Sequence, residues 1–120
     1  MTLLKEESTT DTSKLLILGS GSNARKELLS SVGLIPDRIK IPNVDESLKL
    51  KESPRKYVER IAALKAEAIS SEEQSYLITA DTVVTVGRRL LLKTSDETMA
   101  KEYLRLLSGR RHSVLTAFCV

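Results

Sequence analysis

The chain has 120 residues, 41% of them hydrophobic and 29% charged, with 19 Lys and Arg against 16 Asp and Glu for a formal charge of +3. That balance excludes a low-hydrophobicity disordered chain and a fibrous repeat. The length suits one domain, because a chain of this size buries roughly two thirds of the surface its unfolded form exposes.

Residues 1–13 are polar, rich in Thr and Ser and without periodicity, so a loose disordered tail is expected there. Folded structure is expected over 14–120 as one α/β domain. Leu15, Leu16, Ile17 and Leu18 form a short continuous apolar run, which suits a strand covered on both faces, and Gly19 ends it. Ser20-Gly21-Ser22-Asn23 reads as a turn with capping side chains. It leads into a helix over 24–32 whose apolar positions Leu28, Leu29 and Val32 share one face, with Gly33 as its stop.

A second strand is expected over 38–41, broken by Pro42, followed by the acidic loop Asn43-Val44-Asp45-Glu46. The clearest helix comes next. Ser53 caps it, Pro54 takes its first position, and Tyr57, Val58, Ile61, Ala62, Leu64, Ala68 and Ile69 recur at helical spacing. A β-branched strand over 76–86 turns at Gly87-Arg88 into a short strand over 90–92. Ser95 is expected to cap a last helix over about 96–107, ended by Gly109, and residues 114–120 close the chain as a strand. Strands alternating with helices imply a mixed, twisted sheet with flanking helices.

The first candidate site is the turn Ser20-Gly21-Ser22-Asn23-Ala24-Arg25. A helix N-terminus offers free backbone N–H groups, Gly21 admits an anion to the backbone, and Arg25 can fork onto a phosphate. An ordinary capped helix with a surface Arg is the plainer reading. The second candidate is Asp81, which interrupts the apolar strand Tyr76-Leu77-Ile78-Thr79-Ala80-Asp81-Thr82-Val83-Val84. A buried carboxylate needs a cation, a metal or water, and there it would hold Mg²⁺ or activate a water; otherwise a bulge or edge turns it to solvent.

Lys65 and Lys93 border apolar runs, where each could simply snorkel, and Asp45 and Glu46 could be metal ligands or plain solvated acids. His112 is the only His and has no Cys, His or acid at ligand spacing, so neither zinc nor a Cys–His nucleophile is supported. Arg pairs at 88–89 and 110–111 are the densest basic spots, and with four aromatic residues there is no stacking platform, so a nucleic-acid partner is not expected. No apolar run approaches the roughly 20 residues that span a bilayer, and nothing at the start resembles a signal peptide. A single Cys119 excludes an internal disulfide. A cytoplasmic address without membrane contact is expected.

Together these pieces resemble the Maf family of nucleoside triphosphate pyrophosphatases, also called septum formation inhibitors. Leu16-Ile17-Leu18-Gly19-Ser20-Gly21-Ser22 with Arg25-Lys26-Glu27-Leu28-Leu29 is similar to the family's opening Ser-x-Ser-x-Arg-Arg-x-x-Leu-Leu segment. Val44-Asp45-Glu46, Tyr57-Val58-Glu59-Arg60-Ile61-Ala62 with Lys65-Ala66, and Ala80-Asp81-Thr82-Val83-Val84 resemble its acidic loop, second-helix and central-strand motifs in order. Lys93 resembles its pocket lysine, and Leu107-Ser108-Gly109-Arg110 with His112, Val114 and Thr116 its closing segment.

The resemblance implies a Maf/ITPase-like α/β fold that lacks the C-terminal third of the family domain. It implies hydrolysis of a nucleoside triphosphate to monophosphate and pyrophosphate with a divalent cation, Mg²⁺ or Mn²⁺, as removal of unwanted nucleotides, with a link to cell-division arrest and room for a homodimer. Asp81 then stands as proton acceptor, Ser20, Arg25, Lys65 and Lys93 hold the triphosphate, and Glu46 with Asp81 serves the metal. Thr82 resembles the branch that takes dTTP and UTP. Two positions depart from the pattern: Ala24 replaces the first Arg of the tandem pair, and Leu91 and Thr94 flank Lys93 where Gly or Pro is usual. The competing expectation is a short, inactive remnant that binds nucleotide or a partner.

Overall fold

A computed structural model describes residues 14–69, 74–94 and 96–120. The expected tail over 1–13 and the expected cap Ser95 lie outside the described residues.

The apolar run Leu15–Leu18 is β1, and it does sit inside the sheet. It pairs in parallel with β2 (Arg38–Ile39) on one side and with β3 (Ser75–Val86) on the other. β3 continues past β1 and pairs antiparallel with β4 (Arg89–Leu91) and β5 (Ser113–Cys119). The mixed five-stranded sheet therefore has the order β2-β1-β3-β4, with β5 also on β3. Parallel pairing is confined to the part built by β–α–β crossovers, and the antiparallel part follows a tight turn at Gly87, whose φ of 61° is the left-handed geometry glycine tolerates.

Helix α1 (Asn23–Ser31) starts where Ser22 Oγ accepts from the Arg25 N–H, and Gly33 follows its end with φ 84°. Helix α2 (Pro54–Ala68) starts on Ser53, whose side chain accepts from the Lys56 N–H, with Pro54 in the first turn. Helix α3 (Glu97–Leu107) is capped by Asp96, whose carboxylate accepts from the Thr98 N–H at 2.9 Å. The cap of this helix is thus a carboxylate at residue 96.

Strand β2 is shorter than the expected 38–41. The Lys40 N–H still donates to the Leu18 carbonyl, but Ile41 swings out and is 74% exposed, as the backbone approaching Pro42 leaves the ladder.

The core lies between α2 and the antiparallel part of the sheet. Tyr57, Val58 and Ile61 from one face of α2 pack on Val83, with Leu64, Leu90, Leu92, Leu115 and Ala117 around them. Ile61 is fully buried, which contributes roughly 1.5–3 kcal/mol. Thr79 Oγ1, also fully buried, donates to the Ala62 carbonyl at 2.7 Å and ties α2 to β3. Helices α1 and α3 bury no residue, and Leu28 and Leu104 are each 68% exposed. Among the described residues, no helix is long and apolar enough to cross a membrane.

Candidate active site

Consecutive residues of a strand point to opposite faces, so Asp81 and Thr82 of β3 serve two different neighbours. Asp81 turns toward α2. Its Oδ1 accepts from Lys65 Nζ at 3.1 Å, and the same ammonium donates to the Ala80 carbonyl at 3.1 Å. The two side chains are 4% and 7% exposed, so this is an ion pair inside the protein. Lys65 therefore does not snorkel, and Asp81 is not turned out to solvent. Asp81 Oδ2 is buried and has no hydrogen-bond partner. A carboxylate oxygen in that state is an acceptor waiting for a proton donor or a cation.

Thr82 turns the other way, toward α1. Its Oγ1 accepts from Arg25 Nη2 at 3.1 Å and shares a 2.9 Å hydrogen bond with Thr116 Oγ1 on β5. Arg25 Nη1 donates to Ser20 Oγ at 3.0 Å, and the Ser22 N–H donates to the same oxygen at 3.1 Å. Two hydroxyls thus hold the guanidinium of Arg25 at the N-terminal turn of α1. Among the described residues no carboxylate pairs with it there, which leaves its charge to an anion.

Two cavities meet at this part of β3. One, of about 520 Å³, is lined by Glu46, Tyr57, Asp81, Thr82 and Lys93 among others. The second, of about 640 Å³ and more apolar, has Arg25, Leu28, Thr82, Lys93 and Phe118 in its walls. Thr82 and Lys93 belong to both.

The structure therefore brings Glu46, Asp81, Thr82 and Lys93 to one cavity and sets Arg25 and Ser20 on the far side of Thr82. Lys65 lies beneath this surface rather than in either cavity wall, with its charge directed at Asp81. Among the described residues, no group of three or more His, Cys, Asp and Glu is placed to hold a metal. The available donor set is the Glu46 carboxylate and the unpartnered oxygen of Asp81. Two carboxylates, with substrate phosphates and waters completing the shell, are a donor set that Mg²⁺ accepts.

The sequence reading missed three contributors. Tyr57, assigned by its spacing to the apolar face, also donates its hydroxyl to the Glu46 carbonyl at 2.5 Å. Burial, with the charges of Asp81 and Glu46 adding to it, pushes that phenol up to about 12, so it remains a donor. Arg60 and Glu52 form a bidentate pair beside it, which holds the Glu52 carboxyl down at about 2. A periodic apolar pattern cannot signal a tyrosine hydroxyl or an Arg–Glu pair reaching across a loop.

The Maf-like protein family model matches residues 15–120. The chain is 47% identical over 106 residues to a dTTP/UTP pyrophosphatase of Roseobacter denitrificans, covering 88% of this chain and 56% of that protein. It is 45% identical over 106 residues to a nucleoside triphosphate pyrophosphatase of Anaplasma phagocytophilum, covering 88% and 55%. A dTTP/UTP pyrophosphatase of Zymomonas mobilis is 48% identical over 103 residues, at 85% and 51%. The chain spans about half the length of the curated relatives it matches.

Proposed function

Since the chain belongs to the Maf-like family, we propose that it is a nucleoside triphosphate pyrophosphatase acting on dTTP and UTP. The relatives' names supply the substrate class. The observation that carries the reading is the buried, unpartnered Asp81 Oδ2 in the wall that also holds Glu46, Thr82 and Lys93.

In this reading the α-phosphorus lies near Asp81 and the β- and γ-phosphates lie toward Lys93 and Arg25. Asp81 Oδ2 takes a proton from water as the water oxygen attacks the α-phosphorus, and the bond to the bridging oxygen breaks to release pyrophosphate. Lys65 keeps Oδ1 engaged, which leaves Oδ2 as the oxygen that receives the proton. Lys93 and Arg25 stabilise the charge gathering on the departing pyrophosphate, and Ser20 and Thr82 orient Arg25 to do so. Glu46 would hold a divalent cation, Mg²⁺ or Mn²⁺, in the cavity it shares with Asp81, and when bound that cation supplies charge neutralisation at the phosphates.

The test is pyrophosphate release from dTTP and UTP with Mg²⁺ or Mn²⁺, against an Asp81→Asn control. Release well above the control supports the assignment. Nucleotide binding without turnover would assign the chain to nucleotide binding alone, and absence of both would overturn the reading.

A further inference from the structure

Between β2 and α2 the chain runs through residues 40–53 without regular structure, and Glu46 sits in the middle of this loop. Little apolar burial anchors it: Ile41 is 74% exposed, Leu48 45% and Leu50 91%. Polar contacts hold it instead, and they converge on one stretch of α2. Tyr57 Oη donates to the Glu46 carbonyl, and Arg60 Nη2 donates to the next carbonyl, that of Ser47, at 3.0 Å. Two successive loop carbonyls are thus gripped from residues one helical turn apart.

The grip is itself braced. Glu52 takes both Arg60 Nε and Nη2, at 2.5 and 2.8 Å, and accepts from the Lys49 N–H, which closes the C-terminal part of the loop. The Arg60 guanidinium lies 5.6 Å over the Tyr57 ring, so the two gripping side chains also hold each other. Within the loop, Asp45 Oδ1 accepts from both the N–H and the hydroxyl of Ser47, which ties Asp45 back onto the loop. Of the two adjacent acids, Glu46 is the one left to the cavity.

We propose that Tyr57 and Arg60 are positioning residues that fix the backbone at Glu46 and so hold its carboxylate, in the cavity it shares with Asp81, as a divalent-cation ligand. The inference rests on the metal-dependent reading above and adds the residues through which that ligand is held. Outer partners of this kind are worth roughly 10–100-fold in metal affinity when removed.

The test uses the full chain and Mn²⁺ as probe, with free Mn²⁺ measured by electron paramagnetic resonance with and without dTTP. Melting temperatures of the same samples report folding. Glu46→Gln should weaken Mn²⁺ binding most. Tyr57→Phe, which keeps the ring in the core, and Arg60→Lys, which keeps the charge without the fork, should each weaken it by roughly 10-fold. Arg55→Lys, a change at an exposed helix position, should leave it unchanged.

A merely structural clamp would lower the melting temperature and leave Mn²⁺ affinity within about twofold. If Glu46→Gln weakens binding and both clamp variants retain it, the positioning role is overturned while the metal site stands. If the wild-type chain binds no Mn²⁺ with or without dTTP, the metal reading fails and the inference falls with it. Should one clamp variant not fold, the other decides.

Discussion

Lys65 and Asp81 form a pair that is almost entirely out of water, 3.1 Å apart. At an effective dielectric constant of about 20, two charges at that distance attract by about 5 kcal/mol. Removing one partner strands the other, which costs about 3–5 kcal/mol, whereas replacing both with apolar groups of similar size is often close to neutral. Lys65→Met should therefore destabilise by ~3–5 kcal/mol, equivalent to a fall of roughly 12–20 °C in melting temperature for a domain of this size. Asp81→Val should cost a similar amount, because Lys65 would keep only the Ala80 carbonyl. The double variant should be far more stable than the sum of the two losses, with a coupling of at least ~3 kcal/mol by urea unfolding. On the proposed function it should also release no pyrophosphate, which separates the structural service of the pair from the chemistry proposed for Asp81. Single losses that add to within ~0.5 kcal/mol would refute the internal ion pair.

Three further outcomes are expected. Glu52 has its carboxyl held at about 2, below its ordinary 4.5, by Arg60. Its stabilisation is complete above pH 4.5 and is lost as pH falls toward 2, so the melting-temperature gap between wild type and Glu52→Gln should be constant near neutrality and close between pH 4.5 and 2; a gap that widens on acidification would contradict the bond. Thr79→Val keeps the shape of a fully buried side chain and removes its bond to the Ala62 carbonyl, so urea unfolding should show a loss of ~0.5–1.5 kcal/mol, and no loss would remove that bond as a tie between α2 and β3. Thr82→Val frees one side of the Arg25 guanidinium, and calorimetric titration should show dTTP binding weakened by about 5–10-fold with little change in melting temperature; unchanged affinity would mean Arg25 needs no such orientation.

How far the sequence carried depended on which interactions leave a periodic trace. The place of Leu15–Leu18 inside a sheet, the cap and first-turn Pro of α2, and the turn at Gly87 follow from local chemistry, and the structure places them as read, although only Ile17 and Leu18 of that run are buried. Asp81 stood out because an acid in an apolar strand has to be compensated. Its compensator did not stand out: Lys65 looks like any lysine at the edge of a helix's apolar face, and only the packing of α2 on β3 brings its ammonium to the carboxylate. The Tyr57 and Arg60 contacts were silent for the same reason, since they join side chains to backbone carbonyls eleven and thirteen residues away.

The alternation of β3 makes fold and site a single constraint. Asp81 lies opposite Ala117 and Thr82 opposite Thr116, and this register puts a small side chain across from the acid and a hydroxyl across from the hydroxyl that holds Arg25. A slip by one residue would send every side chain of β3 to the other face. Asp81 would then leave Lys65 and meet the guanidinium of Arg25, while Val83 would leave the core around Ile61. Val83 cannot reach the core under α2 unless Asp81, two residues earlier on the same face, reaches Lys65. The burial energy of Val83, which helps select the register of β3, therefore also sets Asp81 on one face and the Arg25 partner Thr82 on the other.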